Sequence, residues 1–176
     1  MTVYVFNKTD GTTDELIKCA AEDIFRDAGG ELPKNFSITR SELGKPYVNI
    51  SHMFVSVSHT DDIVLVAVNG SEVGIDIENS SRKTENIAKI AERFFSEWEK
   101  SYVFSKEAEV RRRFLEVWVK KEAYYKFLGG DIRCPDTFSA RGTFIPIRLD
   151  GFTAFAYSEL VCLNCINVKN LLHAET

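Results

Sequence analysis

The stretch Val73-Gly-Ile-Asp-Ile-Glu78 combines an apolar strand pattern with two acidic side chains, and the fold is best worked out from it. Because side chains alternate across a strand, we expect Asp76 and Glu78 to project from the same face. Ile75 and Ile77 then point into the core. Two neighbouring carboxylates repel each other unless a cation or hydrogen-bond donors compensate. On spacing alone, the polar face of a half-exposed strand is the simpler interpretation.

The chain before this stretch predicts strands and one amphipathic helix. The helix begins at a capping box, Thr12 to Glu15, and ends at Gly29-Gly30. Runs rich in β-branched and aromatic residues predict strands at residues 2–6, 36–39, 47–50, 54–58 and 63–68. Together with residues 73–78, these strands predict an antiparallel meander.

The chain after the stretch is helical first and strand-like later. Apolar spacing predicts helices between residues 85 and 128, with Gly129-Gly130 as the stop, and returning strands at 143–149, 153–157 and 160–168. The order predicts an α+β fold of two halves, divided near residues 69–72. We assign residues 1–70 to an N-terminal α+β half and residues 71–176 to a C-terminal half that carries the acidic motif.

Composition limits the possible functions without naming one. The 176 residues are 44% hydrophobic and 27% charged, with a net charge of −4, which predicts an ordinary soluble chain and disfavours a general nucleic-acid surface. No export signal or membrane-spanning run is visible, so we expect a cytoplasmic protein with reduced thiols. Cys162 and Cys165 have CxxC spacing, but their apolar surroundings favour a buried strand over a zinc site.

Three further motifs each have an ordinary explanation. Glu122 and Lys126 lie one helical turn apart, which is typical of a stabilising surface pair worth about 0.2–0.5 kcal/mol. Ser96 and Glu99 have the spacing of a capping box. Ser58-His59 closes a strand beside a turn, where it could hold a phosphate, but no Gly-x-Ser-x-Gly elbow surrounds it, and a hydrolase triad is poorly supported.

Taken in order, however, the motifs resemble the signature of the 4′-phosphopantetheinyl transferases. The resemblance spans about half of the chain and rests on Gly44-Lys45-Pro46, Ser58-His59, Gly74-Ile-Asp76-Ile-Glu78, Phe95-Ser-Glu-Trp-Glu99 and Trp118-Val-Lys-Lys-Glu122-Ala-Tyr-Tyr-Lys126. Because the first two motifs precede the acidic one, the chain looks like the monomeric, surfactin-synthetase-activating type. That likeness implies two similar α+β halves in a pseudo-dimeric arrangement, with both halves of the site in one chain.

The resemblance implies a reaction and its cofactors. Family members transfer the 4′-phosphopantetheine group of coenzyme A to a serine of an apo acyl or peptidyl carrier protein, and they release adenosine 3′,5′-bisphosphate. Attack at phosphorus requires charge neutralisation on the pyrophosphate, for which Mg²⁺ is suited. The implied partners are coenzyme A and the carrier protein, with neither nucleic acid nor membrane.

The resemblance also implies a role for each site residue. The metal ligands would be Asp76, Glu78 and Glu122, and Glu122 would in addition take the serine proton. Lys126 would steady the pyrophosphate or the leaving group. Glu99 could contribute to catalysis, although its helix cap is a sufficient explanation. The phosphates of coenzyme A would be held by Lys45, Ser58, His59 and Lys126.

Other interpretations stay open at this stage. A non-catalytic module that binds coenzyme A or a carrier could keep the fold, and a Mg²⁺-dependent phosphohydrolase could share the acids. Because carrier proteins are acidic around the target serine, we expect basic residues at the carrier dock. The candidates are Lys100, Lys106 and Arg111-Arg-Arg113, for which a solvated helix face is an equally good explanation.

Overall fold

The computed structural model describes residues 1–129, 143–159 and 166–171. Four α-helices lie within these residues: α1 (Thr13–Asp27), α2 (Ile87–Phe94), α3 (Glu97–Phe104) and α4 (Val110–Leu128). Short 3₁₀ turns occupy Lys8–Asp10 and Glu107–Glu109. The strands are β1 (Thr2–Asn7), β2 (Ile38–Arg40), β3 (Pro46–Val48), β4 (Phe54–Thr60), β5 (Ile63–Asn69), β6 (Gly74–Asn79), β7 (Ile145–Ile147), β8 (Phe152–Tyr157) and β9 (Asn167–Asn170). The predicted α+β class is confirmed.

Two main sheets organise the described residues. The first has the strand order β4-β5-β1-β9, with β1 antiparallel to β5 and parallel to β9. The second has the order β6-β8-β7 and is antiparallel throughout. Strands β2 and β3 form a separate antiparallel hairpin.

The expected meander is confirmed only as two hairpins, β2-β3 and β4-β5, and is wrong in its other pairings. Strands β4 and β5 pair as predicted, but the other edge of β5 is taken by β1, and β6 pairs with β8 in the second sheet. The physical reason is the core between the sheets, in which Leu65 and Ala67 of the first sheet pack with Ile75 and Ile77 of the second. Strand β6 therefore lies across the face of the first sheet and does not extend its edge.

The apolar core has three parts. Helix α1 covers one face of the first sheet, where Ile17 and Ala20 pack against Tyr4 and Val66. The opposite face of that sheet packs on the second sheet. The third part joins α2, α3 and α4 through residues that include Ala91, Val103 and Phe114.

The predicted halves share a sheet in the structure. Strand β9 lies beyond residue 71 in the chain, yet it adds to β1 at the edge of the first sheet. Lys169 of β9 also contacts Asp23 and Asp27 of α1 through ion pairs.

Local signals determine where two of the helices, α1 and α3, begin. Thr12 caps α1 with a capping box that includes Glu15, and Ser96 caps α3 in the same way with Glu99.

Most of the predicted strand 160–168, with its cysteines, lies outside the described residues, as do Gly130 and Cys134. Within the described ranges, the helices are all too short or too polar to span a membrane.

Candidate functional site

One cleft collects most of the predicted site residues. Its volume is about 620 Å³, and it lies where β4, β6 and α4 meet. The predicted site residues that line it are Ser58, His59, Asp76, Glu78, Glu122 and Lys126. The loop after β6 completes the lining with Arg82, Lys83, Thr84 and Glu85, and α4 adds Trp118.

Gly74 allows α4 to lie close to β6. A Cβ atom at this position would be 1.8 Å from the backbone oxygen of Ala123 and 2.4 Å from the backbone nitrogen of Phe127. Such distances are far inside van der Waals contact, and the obstructing atoms belong to a helix backbone that cannot move aside easily. The glycine of the Gly-x-Asp-x-Glu motif therefore brings the helix that carries Glu122 and Lys126 against the strand that carries Asp76.

Asp76 lies at the centre of a compact hydrogen-bond network. Its side chain is buried, and its Oδ1 accepts hydrogen bonds from Ser58 Oγ at 2.7 Å and from Lys126 Nζ at 2.7 Å. Lys126 Nζ also donates to Ser58 Oγ at 2.8 Å. The three hydrogen bonds connect three elements of the fold, because Ser58 comes from β4, Asp76 from β6 and Lys126 from α4. The ammonium group compensates the cost of burying the carboxylate.

Glu78 is held by a different set of partners. One guanidinium nitrogen of Arg82 donates to both Glu78 carboxylate oxygens, at 2.8 and 2.9 Å. Thr60 Oγ1 donates to Oε2 at 3.3 Å. The hydrogen bond with the Glu78 carboxylate raises the pKa of Arg82 above its ordinary value. Both acids of the strand therefore have a cationic partner, as their mutual repulsion requires.

The acids of the cleft have the donor chemistry that Mg²⁺ prefers, which is hard carboxylate oxygen. The three predicted metal ligands, Asp76, Glu78 and Glu122, are among these acids. Among the described residues, however, no group of three His, Cys, Asp or Glu side chains is close enough together to hold a metal ion as it stands. Lys126 and Arg82 bind directly to two of the acids, and the donors would have to turn away from these cations to share one metal.

Glu99 lies away from the cleft lining. Its side chain is fully buried, and it pairs with the equally buried Lys121, whose Nζ is 3.0 and 3.3 Å from the two carboxylate oxygens. It also accepts a hydrogen bond of 2.7 Å from the backbone N–H of Ser96 in the capping box. The structure thus accounts for Glu99 through a helix cap and an ion pair between α3 and α4.

Lys45 is also not part of the cleft. Its Nζ donates to the backbone oxygen of Phe127 at 2.7 Å and forms an ion pair with Glu72, and its side chain is 8% exposed. Lys45 therefore ties the loop before β3 to the end of α4. His59, by contrast, is exposed and lines the cleft beside Ser58.

The predicted basic docking stretch is largely engaged in ion pairs within the chain. Arg113 is buried and contacts Glu109 and the backbone oxygen of Tyr102. Arg112 and Lys106 pair with Glu109 as well, and these three cations lower its pKa to about 2. Lys100 pairs with Glu92 and Glu97. Arg113 in particular stabilises the junction of α3 and α4, which removes it from any exposed surface.

Several contributors to the site and its support were missed by the sequence reasoning. Arg82 follows the acidic motif by four residues, and the adjacent Arg82-Lys83 pair after two acids was the signal that could have indicated it. Thr60 and Lys121 act through partners 18 and 22 residues away, and no local spacing indicates such contacts.

The family model and the curated relatives that match this chain all belong to one family. A family model described as the 4′-phosphopantetheinyl transferase superfamily matches residues 72–159, which include the three predicted metal ligands. The 4′-phosphopantetheinyl transferase gsp of Aneurinibacillus migulanus is 36% identical over 116 residues, which are 65% of this chain and 43% of that relative.

Two relatives from Bacillus subtilis give a similar picture. A 4′-phosphopantetheinyl transferase is 34% identical over 131 residues, 73% of this chain and 55% of its own length. The 4′-phosphopantetheinyl transferase Sfp of strain 168 is 35% identical over 104 residues, 57% of this chain and 45% of its own. The chain thus spans about half the length of the curated relatives it matches.

Proposed function

The chain belongs to the 4′-phosphopantetheinyl transferase superfamily, and from that premise we propose that it transfers the 4′-phosphopantetheine group of coenzyme A to a serine of an apo acyl or peptidyl carrier protein. The reaction depends on Mg²⁺ and releases adenosine 3′,5′-bisphosphate. The protein acts as a monomer in which residues 1–70 and 71–176 form a pseudo-dimeric pair. Each segment contributes strands covered by a helix, α1 on the first sheet and α4 on the second, which supports this pairing.

The observation that carries the proposal is the shared cleft. Asp76 and Glu78 from β6 line it together with Glu122 and Lys126 from α4 and Ser58 and His59 from β4. These side chains come from three separate segments of the chain. Each motif has an ordinary explanation by itself, whereas their convergence on one cleft is what a phosphoryl-transfer site requires.

The acids would hold the metal. Asp76, Glu78 and Glu122 are its proposed ligands, and a bound Mg²⁺ would neutralise charge on the pyrophosphate of coenzyme A. Lys126 then has a second use, because its ammonium group already lies 2.7 Å from Asp76 and can turn toward a phosphate oxygen or the departing phosphate.

Proton transfer is assigned to Glu122. The serine hydroxyl of the carrier attacks the pantetheine-bearing phosphorus, a new oxygen–phosphorus bond forms, and the bond to adenosine 3′,5′-bisphosphate breaks. Glu122 takes the hydroxyl proton, directly or through water. For Glu99 we propose the structural role alone, since it is buried against Lys121.

The phosphates of coenzyme A would be bound by Ser58 and His59 at the end of β4. His59 is exposed at the cleft, where its imidazole can donate to an incoming phosphate. Lys45 remains a proposed phosphate ligand only if its contacts with Glu72 and Phe127 open.

Mass spectrometry tests the proposal directly. The protein is incubated with coenzyme A, Mg²⁺ and a panel of apo carrier proteins, and the carrier mass is measured. A phosphopantetheine adduct on the serine is the expected result. Cleavage of coenzyme A without an adduct would indicate a phosphohydrolase, and no turnover with any carrier would indicate a binding module.

Isosteric variants of the cleft acids test whether the transfer reaction takes place in this cleft. Asp76→Asn and Glu122→Gln keep the side-chain size but remove the charge and replace one acceptor oxygen with a donor, and general-acid–base and metal contributions of this kind predict a loss of about 10²-fold or more. The matched control is Asp62→Asn, an exposed acid in the turn before β5. Near-normal transfer by Asp76→Asn would contradict the proposed metal site.

A further inference from the structure

Arg82 lines the cleft but has no role in the proposed function. It follows β6 in a turn and lines the cleft, and one of its guanidinium nitrogens binds both oxygens of Glu78. Glu78 is a proposed metal ligand. The side chain that now neutralises it therefore competes with the ion that the acid would hold.

The backbone of this turn is fixed even though the guanidinium group is not. Ser80 donates from its backbone N–H to the backbone oxygen of Gly151 at 2.9 Å, and its own backbone oxygen accepts from Arg111 at 2.6 Å. The backbone N–H of Arg82 donates to the backbone oxygen of Asn79 at 3.0 Å. The Arg82 side chain, in contrast, is 62% exposed. Any rearrangement is consequently confined to the side chain, which stays within reach of the cleft.

The Arg82 side chain can lie in two places, paired with Glu78 or free at the mouth of the cleft, and the two differ in their chemistry. An exposed arginine–carboxylate pair contributes little to stability and is readily exchanged. A divalent cation on Glu78 would repel the guanidinium group, which would then lie at the mouth of a cleft built for a diphosphate. Guanidinium groups bind phosphate oxygens through two parallel hydrogen bonds, a geometry that the Glu78 pair leaves unused.

We propose that Arg82 is a two-position residue: it neutralises Glu78 in the free protein and binds the diphosphate of the substrate once a divalent cation occupies the acids. The inference rests on the proposed function and adds to it a substrate-binding residue outside the motifs. It has a distinctive consequence, because removal of the side chain must affect cation binding and diphosphate binding in opposite directions.

The first measurement is the affinity for Mg²⁺ alone, by isothermal titration calorimetry or by competition with Mn²⁺. Arg82→Ala removes a competitor for Glu78, and loss of a weak surface pair predicts binding that is about 2- to 5-fold tighter. Lys83→Ala is the matched control. It removes the same charge from the same loop, but the described residues include no carboxylate partner for Lys83, so it reports the general effect of charge alone.

The second measurement is the affinity of the Mg²⁺-loaded protein for inorganic pyrophosphate. Loss of charge-assisted hydrogen bonds to phosphate predicts binding that is about 10-fold weaker or more in Arg82→Ala. Arg82→Lys keeps the charge but not the paired donors, and we expect an intermediate affinity from it.

The outcomes are decisive in each direction. Tighter Mg²⁺ binding together with weaker pyrophosphate binding supports the proposal. Unchanged pyrophosphate binding, or Mg²⁺ binding that Lys83→Ala alters as much as Arg82→Ala, overturns it while leaving the transferase proposal intact. A wild-type protein that binds no Mg²⁺ would overturn this proposal and the proposed metal site, whereas the transfer reaction itself is tested separately by the carrier adduct in mass spectrometry.

Discussion

Lys121 and Glu99 form an ion pair with no exposed side-chain surface on either partner. Removal of one member of such a pair leaves an uncompensated buried charge, and Lys121→Met is therefore expected to lower the free energy of unfolding by about 3–5 kcal/mol. Urea unfolding measures this change. Lys18→Met is the control, because Lys18 pairs with Glu22 on the exposed face of α1 and should cost no more than about 1 kcal/mol.

The double variant Lys121→Met with Glu99→Gln separates structure from catalysis. With both charges removed, we expect much of the lost stability to return, since a neutral pair carries a smaller desolvation penalty. If Glu99 acts only through this pair, carrier modification by the folded double variant stays within a few-fold of the wild-type rate. A large loss of turnover in a protein that is as stable as the wild type would restore Glu99 to the reacting groups.

Glu109 connects pH to the junction of α3 and α4. Its hydrogen bonds with Arg112, Arg113 and Lys106 lower its pKa from 4.5 to about 2, so the folded protein binds fewer protons than the unfolded chain between these values. The stabilisation is therefore complete above pH 4.5 and is lost as pH falls toward 2.

The variant Glu109→Gln tests this dependence. It should be less stable than the wild type at about pH 6, and the difference should shrink steadily toward about pH 2.5 in urea unfolding. Glu107→Gln is the control, because this neighbouring glutamate is exposed and the described residues include no ion pair for it. A stability difference that does not change with pH would contradict the assignment.

The contact between β6 and α4 depends on a single missing side chain. Gly74→Ala would place a Cβ atom 1.8 Å from a helix carbonyl, so we expect a loss of about 3 kcal/mol or more, at the upper end of overpacking costs. Gly70→Ala, in the loop between β5 and β6, has no atom within 4 Å of the new methyl group and should be close to neutral. Thermal unfolding of the two variants makes the comparison, and equal melting temperatures would contradict the close packing.

Elements with local signals could be predicted from the sequence, and their partners could not. The capping boxes at Thr12 and Ser96 indicate where α1 and α3 begin, because cap and first turn are only three residues apart. Strand alternation likewise indicates that Ile75 and Ile77 are buried. Alternation determines which face is apolar but not which strand lies alongside, and for that reason the pairing of β6 with β8 was missed.

The same distinction applies to the candidate site. Glu122 and Lys126 share a helix face by spacing, and the structure places both on the cleft. Lys45 belongs to the same motif set, but its partners lie 27 and 82 residues away, and only the folded chain shows that it is tied to Glu72 and the end of α4. Where a side chain's contacts are distant in the sequence, as for Lys45, its role could be predicted only from the family resemblance.

The two sheets share one apolar core, which makes the described part of the chain a single mechanical unit. Val3, Val5 and Leu65 of the first sheet pack with Ile75 and Ala156 of the second, and β9 returns from the C-terminal segment to the first sheet. A division at residue 70 would expose this interface on both sides. We expect neither residues 1–70 nor residues 71–176 to fold alone.

Cooperative unfolding tests this unity without cutting the chain. Leu65→Ala removes a fully buried side chain from the first sheet, and its expected cost is about 2–5 kcal/mol. Trp118 lies on α4 against Phe94 and Phe114, and the second tryptophan, Trp98, stacks on Tyr102 within α3, so tryptophan fluorescence reports on the helices beyond the second sheet.

If the core is shared, Leu65→Ala shifts the urea transition seen by tryptophan fluorescence by the same free energy as the transition seen by far-ultraviolet circular dichroism. Leu43→Ala, at a side chain that is 58% exposed, should move neither. Independent halves would instead leave the fluorescence transition in place while the dichroism curve separates into two steps. Because Lys126 and Asp76 of the C-terminal segment both meet Ser58 of the N-terminal segment, a separation of this kind would also dismantle the cleft.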